Sequence, residues 1–430
     1  MQTILEPERA VPVAGEWDVL VCGGGPAGVA AALRAARRGA RTALLEVQGC
    51  LGGIWTSGLL SYVLDAGNKT GLMPELIAKL ASLSGGQTRF DEAHELPWVK
   101  GSFFFEPEMM KWALEELCAA AGVSVQLHTR VTAAYTAGRR LEAVVSESKS
   151  GRQAWRARAF VDASGDGDLG ALAGCAFELG HPLGGQVQPM SLLGLLCGVA
   201  PGQVQPFING LKGEAGSASA QLLAEIERSG FSPSYRSPVL FQLSGDLYAL
   251  MANQEYSWSA LDAAQVSAAT FHARRELNEL VRSLRGLGSP WENLRLVATP
   301  NQIGTREGRR ILGRYQVSSA DLLAGARHAD AVCRVTFPVD VHSIDPARGK
   351  GYGDEGVRSQ PYDIPLRALF ARDVDGLLLA GRCISGDFFA HASYRVTGNA
   401  VALGEAAGSA AAAAALRGCL PHEVSFAELA

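Results

Sequence analysis

The chain has 430 residues, of which 47% are hydrophobic, and its formal net charge at pH 7 is -4. This length suits two packed domains or one large domain with an insertion. The charge is small and evenly spread, so we expect no nucleic acid and no anionic membrane as a main partner. The eight cysteines lie far apart without a CxxC pair or metal-ligand spacing, and we therefore expect free thiols and no metal site.

No targeting or membrane segment is evident in the sequence. Glu and Pro stand in the N-terminal stretch where a signal peptide would need an apolar core. The apolar run MSLLGLLCGVA (residues 190–200) is only about half of the roughly 20 residues that a spanning helix needs. We therefore expect a soluble, cytoplasmic protein.

The first ordered segment combines a buried strand with a glycine-rich turn. Residues 18–22 form a short apolar run that is typical of a parallel strand, and Gly23, Gly25 and Gly28 follow with the spacing GxGxxG. This spacing gives a tight turn, lets the backbone approach a pyrophosphate and leaves room for a helix against the strand. The motif alone leaves NAD and FAD open.

A helix and a second strand complete this nucleotide-binding pattern. Pro26 and Ala27 open an alanine-rich helix that we expect to continue to Arg38, and its free N–H groups and positive dipole end would face the pyrophosphate. Residues 41–45 predict the second strand. Glu46 ends it, where an acidic side chain can accept both hydroxyls of an adenosine ribose and would repel a 2'-phosphate.

The next stretch predicts a loop, a helix and a meander. The glycine-rich segment GCLGGIWTSGLL (residues 49–60) fits a loop that passes close to a ligand. Residues 106–122 have the apolar spacing of a helix. The alternation that follows predicts a three-stranded meander with bends near Gly138 and Gly151.

The remainder predicts an inserted lobe and a return to the first domain. A strand at residues 159–163 runs into a second glycine-acid turn at 164–167. From about residue 181 to 353 the pattern is mixed, with a strand-like run at 190, helices at 218–229 and 260–287, and strands near 294 and 332. The chain then returns to a buried strand at residues 377–380, followed by Gly381, a loop, and a long small-residue helix from about Val396.

Four blocks of the sequence together resemble the FAD-dependent oxidoreductases of the glutathione-reductase-like fold, and most closely the broad bacterial family known simply as FAD-dependent oxidoreductase. The blocks are residues 17–58, FVDASGDGDLGALAG (160–174), TPNQIGTREGRRILGRY (299–315) and the C-terminal stretch that begins at YDIPLRALF (362). The resemblance implies an α/β protein whose Rossmann-type FAD-binding domain is discontinuous, comprising residues 1–180 and 354–430. A mixed α+β substrate lobe, residues 181–353, is inserted between the two parts.

The resemblance also implies a set of cofactor residues. The glycine turn would meet the pyrophosphate, the loop after Glu46 would run past the flavin phosphates or ribityl chain, and the C-terminal helix would point its N-terminus at the flavin pyrimidine ring, where a positive dipole end stabilises negative charge. The set is Gly23, Gly25, Pro26, Ala27, Gly28, Glu46, Gly52, Gly53, Val131, Gly165, Asp166, Gly381, Arg382, Asp387, Gly398 and Asn399. Glutathione-reductase relatives usually have Asp where this chain has Arg382, so the ribityl contact stays open and Asp387 is the alternative.

Two features of the sequence bear on the choice of cofactor and chemistry. The return to the first domain near the C-terminus favours FAD over NAD. A second strand–GxGxxG–helix unit for NAD(P)H and a CxxxxC redox pair are both missing from the sequence. We therefore expect neither disulfide reductase chemistry nor a second nucleotide.

Candidate catalytic residues come from the two blocks that flank the expected lobe. Arg306 could clamp a carboxylate, or could form a structural ion pair with Glu307. His391, Tyr394 and Arg395 fall between the flavin strand and the flavin helix, where side chains can face the isoalloxazine pocket. His391 is the predicted proton-handling group because its unperturbed pKa lies near neutrality.

Other candidates are interpreted as structural. His181 and His342 lie at the expected lobe boundaries and have the pattern of ordinary loop histidines. Cys50 fits an inert buried thiol better than a flavin attachment point. Asp166 and Asp168 resemble a paired-carboxylate site only superficially.

The sequence thus predicts an FAD-dependent oxidoreductase that transfers hydride between flavin and a small organic substrate, which the arginines suggest is carboxylated or oxygen-rich. The electron acceptor is unknown, and a homo-oligomer stays open. A flavin monooxygenase or hydroxylase is one alternative. A flavin-binding scaffold or RNA-modification partner is another, although the chain has no basic patch suited to RNA.

Overall fold

The computed structural model describes residues 3–85, 88–92, 96–211, 217–347 and 349–429. Its strands are β1 Val13–Cys22, β2 Thr42–Leu45, β3 Tyr62–Val63, β4 Arg89–Phe90, β5 Phe103–Phe104, β6 Ser124–Gln126, β7 Arg130–Ala137, β8 Arg140–Ser148, β9 Gly151–Asp162, β10 Phe177–Glu178, β11 Gly194–Cys197, β12 Val239–Ser244, β13 Leu247–Met251, β14 Arg295–Ala298, β15 Arg310–Ile311, β16 Ala331–Val335, β17 Val341–His342, β18 Tyr352–Gly353, β19 Tyr362–Pro365 and β20 Leu377–Leu379. Its α-helices are α1 Pro26–Arg37, α2 Leu72–Leu83, α3 Pro107–Ala120, α4 Asp168–Leu172, α5 Pro201–Val204, α6 Ser217–Arg228, α7 Ala263–Arg285, α8 Ser319–Ala324, α9 Phe388–Tyr394 and α10 Thr397–Arg417.

The main sheet is a parallel Rossmann-type sheet with an antiparallel extension. Strands β6, β2, β1 and β9 lie side by side in that order, and β20 pairs with the C-terminal part of β9; all these neighbours are parallel. Val19, Leu20 and Val21 of β1 are fully buried, as expected for a strand covered on both faces. The predicted α/β fold with a parallel Rossmann-type core is confirmed.

The long strand β9 joins the two parts of this sheet. Its N-terminal half pairs antiparallel with β8, and β8 pairs antiparallel with β7. The bends lie at Gly138 and Gly151, both with positive φ. The predicted three-stranded meander is therefore confirmed.

The predicted helices are present, but three segments differ from the sequence prediction. Helices α1, α3, α6, α7 and α10 lie where periodicity placed them. The stretch between Gly381 and Val396, predicted as a loop, contains α9, and the stretch after Leu72, for which no element was predicted, begins with α2. The strand expected at Met190 is an isolated bridge to Glu255, and β11 begins only at Gly194.

The inserted lobe has its own hydrophobic core. Strands β12, β13, β11 and β14 form an antiparallel sheet, and most buried apolar side chains between residues 190 and 303 form one cluster with α6 and α7. Phe241, Leu243 and Ala249 instead pack against Tyr62 and Phe104. Buried side chains between residues 311 and 341 instead belong to the core of the main sheet. The membership of the two large cores thus changes near residue 304, and the lobe boundary at residue 353 stays a prediction.

Helices α1 and α10 pack backbone to backbone. A Cβ atom added at Gly404 would lie 2.1 Å from the carbonyl oxygen of Ala27, and one at Gly408 would lie 2.1 Å from that of Ala31. The small side chains of α10 therefore serve close helix packing inside the core. None of the helices in the described residues combines the length and apolar character that a membrane crossing requires.

Gly408→Ala is expected to lower the free energy of unfolding by about 1–3 kcal/mol, because one added methyl group must push two helix backbones apart. Urea unfolding measures this difference. The control is Gly202→Ala, at an exposed helical position with no atom within 4 Å of the added Cβ; it should change stability by less than about 0.5 kcal/mol. Equal effects of the two substitutions would contradict the packing argument.

Candidate functional site

A cavity of about 350 Å³ lies where the carboxyl ends of the parallel strands meet the inserted lobe. The turns after β1, β2, β9 and β20 line one side, and residues 302 and 304–306 together with Ser191, Leu193 and Met251 line the other. In open α/β sheets, ligands bind in the crevice beyond the carboxyl ends of the strands. The fold therefore places a ligand site at this position.

The glycine turn after β1 forms a backbone cradle in this cavity. A Cβ atom at Gly23, whose φ is 102°, would lie 2.5 Å from the carbonyl oxygen of Ala163, and one at Gly28 would lie 1.8 Å from that of Gly23. Gly25 lines the cavity and has no atom within 4 Å of its added Cβ position. It is the N-cap of α1 and provides no side-chain cap, so the first N–H groups of α1 suit a diphosphate.

Glu46 lies at one end of the same cavity, together with Arg130 and Val131. Its carboxylate accepts hydrogen bonds from the backbone N–H groups of Gly24 and Gln48. Burial raises the pKa of Glu46, and these hydrogen bonds oppose the shift. The carboxylate oxygens can accept further hydrogen bonds, so this end of the cavity suits the hydroxyls of a ribose.

The other end of the cavity carries a second helix N-terminus. Val396 is the N-cap of α10 without a side-chain cap, and Val396, Thr397 and Ala400 line the cavity. The positive end of the α10 dipole therefore faces the space expected for the flavin. Gly381 and Arg382 also line the cavity.

Arg382 stands where the glutathione-reductase relatives have Asp. Its guanidinium donates to the carbonyl oxygen of Thr305 at 2.7 Å and to Oδ1 of Asp166 at 2.8 Å. It thereby ties the turn after β20 to the turn after β9. The Asp166 carboxylate is thus engaged by Arg382 and does not line the cavity.

The structure brings most of the expected cofactor residues together but not all of them. Those that line the cavity are Gly23, Gly25, Pro26, Ala27, Glu46, Gly53, Val131, Gly165, Gly381 and Arg382. Those that do not line it are Gly28, Gly52, Asp166, Asp387, Gly398 and Asn399. Gly28 and Gly398 instead allow close backbone approach, since a Cβ at Gly398 would lie 2.4 Å from the carbonyl oxygen of Leu64.

Asp387 does not supply the ribityl contact that the sequence left open. Its carboxylate caps α9 by accepting from the N–H of Ala390 at 2.8 Å, and it accepts from the N–H of Ser319 at 2.6 Å. Because α9 was predicted as a loop, the capping role of Asp387 could not be anticipated. Asn399 likewise faces the core, where its Oδ1 accepts from the thiol of Cys333.

The two predicted arginines line the cavity. Arg306 is 8% exposed and donates to the carbonyl oxygen of Pro189 and to Oγ of Ser191, both at 2.8 Å. Arg395 donates to Asp340, at 2.9 Å to its carbonyl oxygen and at 3.0 Å to Oδ2. Burial, followed by the charge of Arg395, lowers the pKa of Arg306 to about 10, and burial also lowers the pKa of Arg395.

His391 does not face the cavity, contrary to the prediction. It is fully buried in α9 against the ring of Tyr394, and neither ring nitrogen has a hydrogen-bond partner among the described residues. Burial, followed by the charge of Arg310, lowers its pKa well below the usual range. A neutral histidine enclosed in the core cannot exchange protons with a substrate in the cavity.

A histidine that the sequence analysis set aside does line the cavity. Nε2 of His342 lies 3.3 Å from Oδ2 of Asp340, and its Nδ1 lies 2.5 Å from Nε2 of Gln254. The hydroxyl of Tyr256 donates to Oε1 of Gln254 at 2.6 Å, so the Gln254 amide donates to Nδ1 of His342. The proton of His342 therefore lies on Nε2, the ring nitrogen that faces the carboxylate of Asp340.

A periodicity signal could have identified Asp340 and His342. In VDVHS (residues 339–343), Val339 and Val341 alternate with the two polar residues and are buried. Alternation of period two places Asp340 and His342 on the same face of an extended segment. The pairing with Arg395 and Gln254, however, depends on tertiary structure.

His342 should make stability depend on pH. Burial, followed by the charge of Arg306, lowers the pKa of His342 to about 4, from 6.5 for an unperturbed histidine. Between about pH 6.5 and 4 the unfolded chain binds this proton and the folded protein does not, so stability falls as pH decreases, by up to about 1.4 kcal/mol per pH unit for this group.

His342→Gln keeps a polar side chain beside Asp340 but cannot titrate. The slope of unfolding free energy against pH in that range should therefore decrease by the contribution of about one proton, which is about 1.4 kcal/mol per pH unit. Urea titrations across the range measure it. His128→Gln, at an exposed histidine, is the matched control. An unchanged slope in His342→Gln would show that His342 is protonated in the folded state.

The sequence and the fold of the chain are similar to those of known proteins. The sequence model of the FAD dependent oxidoreductase family matches residues 18–430. A curated protein, dihydrolipoyl dehydrogenase from Trypanosoma brucei brucei, is 49% identical over 45 residues, which is 10% of this chain and only 9% of that protein's length.

Solved structures with similar folds share little sequence with the chain. The myxobacterial chondrochloren halogenase CndH, described as an FAD-dependent halogenase, has a TM-score of 0.50 at 14% identity and covers 96% of this chain and 77% of its own. The p-nitrophenol 4-monooxygenase PnpA from Pseudomonas putida has a TM-score of 0.42 at 13% identity and covers 70% of each chain. At 14% identity the likeness to CndH concerns the fold alone. The family match over nearly the whole chain shows that this protein belongs to the FAD-dependent oxidoreductase family.

Proposed function

We propose that the protein transfers hydride between FAD and a small organic substrate bound between the FAD-binding core and the inserted lobe. The supporting observation is that the glycine cradle and Glu46 line the same cavity as a cluster of charged residues. This cluster consists of Arg306, Asp340 and Arg395. Such an arrangement allows a dinucleotide and a second molecule to share one enclosed space.

The residues of the chain have distinct roles in this proposal. The turn at Gly25 and the N-terminus of α1 bind the diphosphate, and Glu46 orients the adenosine ribose. The N-terminus of α10 stabilises negative charge on the flavin ring. When bound, FAD supplies the hydride chemistry itself.

The walls at the charged end would exclude water and position the substrate. Ile54, Leu64, Leu193 and Phe337 contribute apolar surface there. Exclusion of water strengthens the electrostatic interactions of the buried arginines with a bound molecule. His342 holds its proton on Nε2 against Asp340, which keeps that carboxylate in place beside Arg395.

The cofactor part of the proposal has a direct test. The purified protein should be yellow with about one FAD per chain, and Gly25→Asp should remove it, because the new carboxylate would occupy the cradle and repel the diphosphate. Flavin absorbance of the desalted protein measures the occupancy. Gly202→Asp, near the start of α5 and away from the cavity, is the matched control and should keep FAD. Retention of FAD by Gly25→Asp would contradict the assigned cradle.

The reaction is tested by anaerobic mixing of the holoprotein with a panel of small hydroxy, amino and carboxylic acids while the visible flavin band is followed. At least one compound should bleach the band saturably. NADH and NADPH should bleach it slowly or undetectably, because the sequence has no second dinucleotide fingerprint. Rapid saturable bleaching by either nucleotide, followed by oxygen-dependent product formation, would favour the monooxygenase and overturn the proposal.

A further inference from the structure

We infer that the charged end of the cavity is a site for one anionic group, a monocarboxylate with an apolar remainder, and that Arg306 rather than Arg395 is its binding residue. The statement that the bound molecule is the substrate rests on the proposed function. The anion site itself rests on the geometry of Arg306, Arg395 and Asp340.

Arg395 already has a carboxylate partner. Its guanidinium contacts Oδ2 and the carbonyl oxygen of Asp340, and the side chains of Arg395 and Asp340 are only 12% and 17% exposed. Burial alone would raise the pKa of Asp340, but His342 and the two guanidinium groups hold it below its usual range. Asp340 is therefore a fixed counterion, and the charge of Arg395 is neutralised inside the protein.

Arg306 has no such partner. Among the residues that the structure describes, no carboxylate oxygen lies within 4.0 Å of its guanidinium. Its contacts are to neutral groups, namely the carbonyl oxygen of Pro189, Oγ of Ser191 and, at 3.7 Å, the weakly accepting Sδ of Met251.

The neighbouring Glu307, an alternative partner suggested by the sequence, is engaged elsewhere. Its carboxylate accepts from the N–H groups of Gly180 and Gln188 and from Arg310. A guanidinium that is more than nine-tenths buried and lacks a counterion is costly unless a ligand supplies one. Because Arg306 lines the cavity, a bound anion can supply that charge.

The charge balance of this cluster limits the ligand to a single negative charge. Arg306 and Arg395 are cationic, Asp340 is anionic and His342 is neutral near pH 7, which leaves one uncompensated positive charge. A dianion would bring a second charge without a partner into a partly apolar space. The apolar side chains of Ile54, Leu193, Met251 and Phe337 suit the remainder of the ligand.

The test measures binding of simple probes to the oxidised holoprotein, by perturbation of the flavin spectrum and by calorimetry. The monocarboxylates are acetate, benzoate and octanoate; benzamide is the neutral analogue of benzoate, and phthalate is its dianionic analogue. Benzoate or octanoate should bind more tightly than benzamide and phthalate. Arg306→Met should weaken this binding about 10- to 100-fold, the loss expected for a charged hydrogen-bond partner, and Arg306→Lys should restore part of it.

Two further variants separate the anion site from general effects. Arg274→Met removes a half-buried arginine that binds Thr299 and Pro300 away from the cavity, and it should leave benzoate affinity unchanged. Asp340→Asn removes the internal counterion, so phthalate should gain affinity relative to benzoate. FAD content and melting temperature identify any variant that fails to fold. If Arg306→Met does not fold, the benzoate and phthalate affinities of Arg306→Lys and Asp340→Asn test the inference instead.

Three outcomes would overturn the inference. They are the absence of binding by every monocarboxylate at millimolar concentration, equal affinity for phthalate and benzoate in the parent protein, and unchanged benzoate affinity in Arg306→Met. A lowered flavin midpoint potential in that variant would in addition assign Arg306 to the flavin. If Arg306-dependent binding is found but no compound reduces the flavin, the anion site stands and the hydride-transfer proposal fails.

Discussion

The backbone contact between α1 and α10 is the constraint on which the cavity depends. Gly404 and Gly408 allow the two helices to approach so closely that side chains larger than hydrogen would collide with the carbonyl groups of α1. Since both helices begin at the cavity, this contact fixes the positions of two N-termini relative to each other. The glycine turn before α1 and the N-terminus of α10 are therefore positioned relative to each other by one packing interaction rather than by flexible side chains.

A second level of organisation concerns buried charge. The turns after β9 and β20 are joined by the pair of Asp166 and Arg382, and the charged end of the cavity contains the pair of Asp340 and Arg395. Each pair compensates its own charges in a place with limited access to water. The guanidinium of Arg306 has no carboxylate partner among the described residues, so a bound anion can act as its counterion.

Sequence reasoning was successful where the determining interactions are local. The glycine spacing, the apolar run before it and the terminal Glu46 predict a nucleotide cradle because each depends on neighbouring residues, and the return strand before Gly381 was recognised for the same reason. Sequence reasoning failed where contacts between distant segments of the chain determine the environment of a side chain. His391 has the sequence position expected of a pocket residue, yet α9 turns its ring into the core, and the carboxylate of Asp387 caps that same helix. Asp340 was missed and His342 was interpreted as an ordinary loop histidine, because their partners Arg395 and Gln254 come from remote parts of the chain.

The inserted lobe is linked to the charged end of the cavity through a small number of polar contacts. Ser191 orients Arg306 and at the same time donates to the carbonyl oxygen of Asn253, while Gln254, the next residue, contacts His342. The bridge between Met190 and Glu255 holds these two segments together. Residues of the lobe therefore position both Arg306 and the Asp340–His342 pair, whereas the main sheet positions the nucleotide cradle. Changes in the lobe can thus alter the charged end of the cavity while the glycine turn after β1 keeps its geometry.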